Sequence, residues 1–162
     1  MSEQDIQQEQ ALILFERAYK AQMKGEFGNA LLLYKRSVNT FPTAEAYTFW
    51  GWTYAMMDRF DEAIEMCHKA IETDPDYGNP YNDIGSYLIE LERWEEAIPW
   101  LEKALAAPRY EAYHYPHINL GRAYAHLGDY QKALAAYDAA LALEPLYLPA
   151  INARRVLLGR LN

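Results

Sequence analysis

A spaced set of small and aromatic residues returns four times along this chain and leaves few folds open. Gly51 is followed by Tyr54, Ala63, Ala70 and Pro75; Gly85 by Leu88, Ala97 and Ala104; Gly121 by Tyr124, Ala133, Ala140 and Pro145. Upstream, Ala18, Ala21, Ala30, Ser37 and Pro42 keep the same internal offsets, and the sets are displaced by 33, 34 and 36 residues. A period of that size marks a stacked array, because one such unit cannot bury its apolar face alone. Within each set apolar residues recur at helical spacing, break at a short polar stretch, and resume until close to a proline. Each unit therefore reads as two short antiparallel helices. Small residues at Gly51/Ala63, Gly85/Ala97 and Gly121/Ala133 let the helices of a pair approach closely. Tyr54, Phe60, Leu88, Trp94, Tyr124, Tyr130 and Tyr137 are expected to fill the space between pairs.

The stretches WGWTYAMMDRFDEAIEMCHKAIETDP and LGRAYAHLGDYQKALAAYDAALALEP carry nearly the whole pattern of the tetratricopeptide repeat (TPR) family, which the chain resembles over roughly residues 11–147. The resemblance implies an all-α fold: a right-handed α-solenoid of antiparallel helix pairs, with four units at about 6–43, 44–77, 78–113 and 114–147. Residues 148–162 follow as a C-terminal capping helix whose arginines, Arg154, Arg155 and Arg160, keep its exposed side polar. The first unit is the most divergent. It has Arg17 where later units have Trp50, Ile84 and Leu120, and Ala21 where the family prefers an aromatic residue.

Prolines mark the register independently. Asn79-Pro80 reads as an N-cap followed by proline at the first helical position, Pro116 stands at the equivalent place in the fourth unit, and Pro149 opens the last helix. Pro99 falls well inside WEEAIPWLEKAL, where it costs a helical hydrogen bond. A kink, a late helix start and a tolerated first-turn proline are the alternatives there. The extra residues of the third unit lie in 107–113, read as a lengthened connection or an additional helical turn, with a binding loop as the minority reading.

Composition sets outer bounds. With 162 residues, 51% of them hydrophobic, the chain can bury one continuous core, so residues 6–162 are expected to form a single domain after a disordered stretch 1–5. Fifteen Lys+Arg against 23 Asp+Glu give a net charge of −8, which disfavours nucleic acid and anionic membranes as partners. Met1 to Gln10 has neither the basic start nor the apolar run of a signal peptide, and no segment approaches a membrane span. A cytoplasmic location without membrane insertion is the expectation.

No constellation for catalysis emerges. Cys67 is the single cysteine, which excludes an internal disulfide and a multi-thiolate metal site. His114 and His117 are separated by Pro116, with no Cys or paired carboxylates to complete a metal shell. His117 stands at the position of Tyr47 and Tyr81 and reads as a core residue. Asp61/Glu62 and Glu95/Glu96 lie at the starts of second helices, where they complement the helix dipole. The expectation is a non-enzyme with no cofactor and no metal.

In TPR proteins the first helix of each unit lines a concave groove, and the resemblance carries that face onto Thr48 and Trp52 in unit two. It continues on Asn82 and Ser86 in unit three, Tyr115, Asn119 and Arg122 in unit four, and Asn152 in the cap. Asn82, Asn119 and Asn152 recur once per unit, and an amide that donates and accepts suits an extended peptide backbone, although local bridging between helices explains them too. Trp52 and Tyr115 offer flat apolar area of the kind found at binding hot spots. The family's carboxylate clamp for heat-shock proteins calls for Lys, Asn, Asn, Lys and Arg. Those positions hold Thr48, Trp52, Asp83, Tyr115 and Asn119, or in the alternative register Phe15, Tyr19, Phe49, Asn79 and Asp83, so clamp binding is not expected. The reading is an adaptor or scaffold binding a peptide segment of another protein in its groove. The alternative is a structural protein that uses its groove or end helices for homo-oligomerisation.

Overall fold

Left-handed backbone punctuates the chain at the repeat interval. Gly25 (φ 76°), Asp58 (φ 58°), Glu92 (φ 58°) and Gly128 (φ 81°) each end the first helix of a unit. Their separations reproduce the 33, 34 and 36 residues read from the sequence. Each stop is closed the same way. The next residue's N–H reaches back five places, from Glu26 to Ala21 O, Arg59 to Tyr54 O, Arg93 to Leu88 O and Asp129 to Tyr124 O, at 2.9–3.0 Å. A second bond, from the left-handed residue itself, ends on Gln22, Ala55, Ile89 or Ala125. Two otherwise orphaned carbonyls are satisfied at every joint, and the chain is turned straight into the second helix.

A computed structural model describes residues 1–162. Its helices are α1 (Glu3–Met23), α2 (Phe27–Thr40), α3 (Ala44–Met56), α4 (Phe60–Thr73), α5 (Asn79–Glu90), α6 (Trp94–Ala106), α7 (His114–His126), α8 (Tyr130–Leu143) and α9 (Leu148–Leu161), with no strand. Residues 1–5, expected to be disordered, instead carry the start of α1. The Ser2 hydroxyl accepts from the Asp5 N–H at 3.1 Å, and the Asp5 carboxylate accepts from the Ser2 N–H at 2.8 Å. This reciprocal cap satisfies the first helical donors. By its internal packing the chain divides into two compact units, Met1–Pro80 and Tyr81–Asn162, the boundary falling in the first turn of α5.

In the first unit, Ala18 and Ala21 of α1 pack on Ala30, Leu33 and Tyr34 of α2, with Phe15, Phe49 and Trp50 against them. Two polar ties are buried in this core. The Tyr34 hydroxyl donates to Gln22 Oε1 at 2.7 Å, and Ser37 Oγ donates to the Ala11 carbonyl at 2.7 Å. Cys67 is fully buried in α4, as a small hydrophobe would be.

The second unit shows most directly why the glycines recur. A Cβ on Gly85 would collide with the Leu101 side chain, and one on Gly121 with the Tyr137 ring. Tyr137 packs toward α9 as expected of a residue between pairs, and it also reaches into the α7–α8 pair, where the absent side chain of Gly121 makes room for it. Around it, Ala133, Ala140, Ala150 and Leu157 complete the core of α8 and α9. Pro99 sits inside α6, whose helix already begins at Trp94, so the late start is excluded and the Glu95 carbonyl loses its usual donor. The longer connection 107–113 folds inward. Tyr110 is buried, Tyr113 packs edge-on against it at 5.3 Å, and the Tyr113 hydroxyl donates to the Ala107 carbonyl at 2.9 Å.

Candidate functional site

First helices present the candidate residues, and each unit builds its own surface from them. In the first unit, α1 and α3 meet through rings. Phe49 stands edge-on to Phe15 at 5.3 Å, to Tyr19 at 5.7 Å and to Trp52 at 5.7 Å. Trp52 is 39% exposed at the open end of this series, with Tyr19, Met23 and Met56 also exposed. Thr48 does not share that face. It is buried, and its hydroxyl donates to the Ala44 carbonyl one turn back at 2.7 Å, so it offers nothing to a ligand.

In the second unit, five of the candidates converge. Asn82 and Ser86 of α5 and Tyr115, Asn119 and Arg122 of α7 line one cleft of about 500 Å³. A hydrogen-bonded chain crosses its floor. Asn119 Nδ2 donates to Asn82 Oδ1 at 3.1 Å, Arg122 Nη1 donates to Asn119 Oδ1 at 3.4 Å, and Arg122 Nη2 reaches Glu90 Oε1 at 3.2 Å. Asn82 and Asn119 are each 7% exposed, so they bridge α5 and α7 and spend part of their capacity on each other. Each amide still retains one N–H and one lone pair beyond that shared bond. Next to them, burial pushes the Asp83 carboxyl up to about 7, partly offset by a hydrogen bond from Asn82.

Asn152, the third asparagine, is outside this chain. It is exposed on α9 and lines a neighbouring cleft of about 280 Å³, joined to the first through Arg122 and Ala153. The sequence reading missed Tyr147 and Pro149 on the far wall of the larger cleft. Tyr147 packs edge-on against Tyr115 at 5.9 Å and against His114 at 5.1 Å. A signal existed: Tyr77 and Tyr147 both stand two residues after the proline that closes a unit. Among the histidines, burial lowers the pKa of His117, and no group of His, Cys, Asp or Glu is arranged to hold a metal.

Comparison with known proteins matches this geometry to one family. Tetratricopeptide repeat profiles match residues 42–109 and 114–147. The chain belongs to the tetratricopeptide repeat family. The TPR repeat-containing thioredoxin TTL4 of Arabidopsis thaliana is 27% identical over 126 residues, a match that covers 74% of this chain but 18% of that protein. PilF of Pseudomonas aeruginosa superposes with a TM-score of 0.88 at 19% identity, covering 95% of this chain and 70% of that one, and shares the TPR fold. The first TPR of Spaghetti (RPAP3), solved bound to the HSP90 peptide SRMEEVD, superposes at 0.68 with 25% identity, covering 74% of this chain and 93% of that one. A general role in protein–protein interaction comes with this TPR family. No helix is long and apolar enough to cross a membrane.

Proposed function

We propose that this TPR chain is a non-catalytic adaptor that docks an extended segment of a partner protein, chiefly in the α5–α7–α9 cleft of its second unit. The observation that carries the reading is the convergence of Tyr115, Tyr147, Asn82, Asn119 and Arg122 on one open cleft. Two aromatic walls supply apolar area, and amides with spare donors and acceptors suit a peptide backbone. Trp52 offers a second anchor on the first unit. The peptide bound by the first TPR of Spaghetti makes a segment of this kind a reasonable occupant, but not that peptide itself. The clamp positions hold Thr48, Trp52, Asp83, Tyr115 and Asn119, without a cation to meet a chain-terminal carboxylate. The HSP90 peptide should therefore fail to bind.

Affinity capture from native extract tests the adaptor reading, comparing wild type with Tyr115→Ala and Trp52→Ala. A partner held at hot spots loses about 1–3 kcal/mol of binding in each variant. A partner retained equally by both variants removes these residues from the site. Self-association is the second reading, motivated by exposed Leu12 and Ile13 on α1 and by Leu148, Val156 and Leu161 on α9. Light scattering over a concentration series decides it: a strict monomer at the highest concentration ends that reading.

A further inference from the structure

The smaller cleft, between α7, α8 and α9, has a composition at odds with the acidic surplus of the whole chain. Its floor is apolar, built on Ala153 and Leu157, and its polar groups are Arg122, His126, Tyr137, Asn152 and Arg160. No Asp or Glu lines it, on a chain whose net charge is −8. Arg122 already has Glu90 on its α5 side, whereas Arg160 has no ion-pair partner. Tyr137 is 4% exposed and lines the cleft, yet its hydroxyl makes no hydrogen bond. The hydroxyl is not sealed in the core, where Trp50 Nε1 is the buried polar atom left without a partner; it opens into the cleft. Both guanidinium groups act on this hydroxyl. Burial raises the Tyr137 pKa, and the charges of Arg122 and Arg160 pull it back down.

A phenolic donor and two guanidinium groups that line one cleft with aliphatic side chains suit an incoming carboxylate: they offer charge-assisted donors and one neutral donor. We infer that this cleft receives a side-chain carboxylate, an Asp or Glu flanked by aliphatic residues, from the segment docked on the second unit. The inference rests on the docking reading and adds to it the chemistry of one position. Arg122 and Ala153 line both clefts, so a segment lying in the larger one can continue into the smaller. A carboxylate partway along such a segment belongs to a side chain rather than to a chain end. The residues involved differ from the clamp positions, which lie on first helices alone.

The test uses the full-length chain, isotope-labelled for NMR, and the capped peptide Ac-Ala-Leu-Glu-Leu-Ala-NH2 beside its glutamine counterpart. The glutamate peptide is expected to shift the Arg122 and Arg160 side-chain N–H signals and the Asn152 amide, and to bind at least fivefold more tightly than the glutamine peptide. Arg160→Gln, an exposed change, and Tyr137→Phe, which keeps the ring against Gly121, should each bring that ratio toward one, with circular dichroism unchanged. Equal affinity for the two peptides, with shifts at Tyr115 and Tyr147, overturns the carboxylate inference and leaves the docking reading standing. Failure of either peptide to bind also overturns the inference, while the docking reading is then judged by capture with the Tyr115 variant. A glutamine peptide with an uncapped C-terminus that matches the glutamate peptide overturns the side-chain assignment in favour of a chain end.

Discussion

The two units use one joint and two kinds of surface. In Met1–Pro80 the faces of α1 and α3 meet through Phe15, Tyr19, Phe49 and Trp52, ring edge on ring face. In Tyr81–Asn162 the faces of α5 and α7 meet through Asn82, Asn119, Arg122 and Glu90. The helix stops behind both surfaces are the same. What differs is the side chains that a fixed backbone register presents. Contact through rings buries apolar area in edge-to-face geometry, whereas contact through amides and a guanidinium adds hydrogen bonds with defined donors and acceptors. On the docking reading proposed above, the scaffold would set where a partner lies and the first-helix residues which partner it is.

The comparison breaks most visibly at Phe49. Phe49→Ala strips three ring contacts from the first unit and is expected to cost about 2–4 kcal/mol, at the lower part of the range for large-to-small core changes because Phe49 is only half-buried. Urea unfolding followed by circular dichroism measures it, and a loss below that of a surface change would show the ring series to be incidental. The corresponding change in the second unit, Asn119→Ala, leaves the buried Asn82 carbonyl without its donor and costs about 1–3 kcal/mol. Replacing both asparagines by leucine also takes a partner from Arg122 and from the Asp83 carboxyl, so it should cost more than the single change. A double variant no worse than the single one would contradict that account.

The pH effect expected between about pH 4 and 7 lies in the second unit. The Asp83 carboxyl titrates near 7 in the folded chain against an ordinary value near 3.8, so the folded state holds its proton more tightly. The stability contributed by neutral Asp83 is complete below about pH 4 and lost as pH rises through about 7. Asp83→Asn should flatten this part of a stability profile, and an unchanged slope between those pH values would assign it elsewhere. The smallest effects concern the stops. Glu92→Gly removes a left-handed non-glycine residue and should stabilise by about 0.5–1 kcal/mol. Asp58→Gly should gain less, since aspartate tolerates this conformation better. Thermal melts of the two variants order them.

Repetition made the fold legible. Four sets in one register revealed the helix pairs, and the stops at Gly25, Asp58, Glu92 and Gly128 fall at the same displacements. Legibility failed where a side chain had a local alternative. Thr48 was placed on the open face by position, but a threonine hydroxyl can bond to the carbonyl one turn back, and here it does. Asn82 and Asn119 were recognisable as a recurring pair, yet whether they would meet each other depends on how closely α5 approaches α7, which no spacing encodes. Tyr147 lay in a connector, outside the helical face from which the candidates were drawn. The Ser2–Asp5 cap was written in the chain too, but a polar N-terminus reads as disordered until that reciprocal pairing is noticed.

The sameness of the joints has a genetic consequence. Asp58 is followed by Arg59, which pairs with Glu62, and Glu92 by Arg93, which pairs with Glu96. Excising codons 59–92 would splice Asp58 directly onto Arg93, and the scar would read as an ordinary joint: a left-handed residue, an arginine, and a glutamate three places on. Duplicating the same block leaves an equally seamless junction. Such a gene can gain or lose one cassette without inventing a new turn, and a shortened chain that still melts in a single cooperative step would show that copy number is heritable at little folding cost.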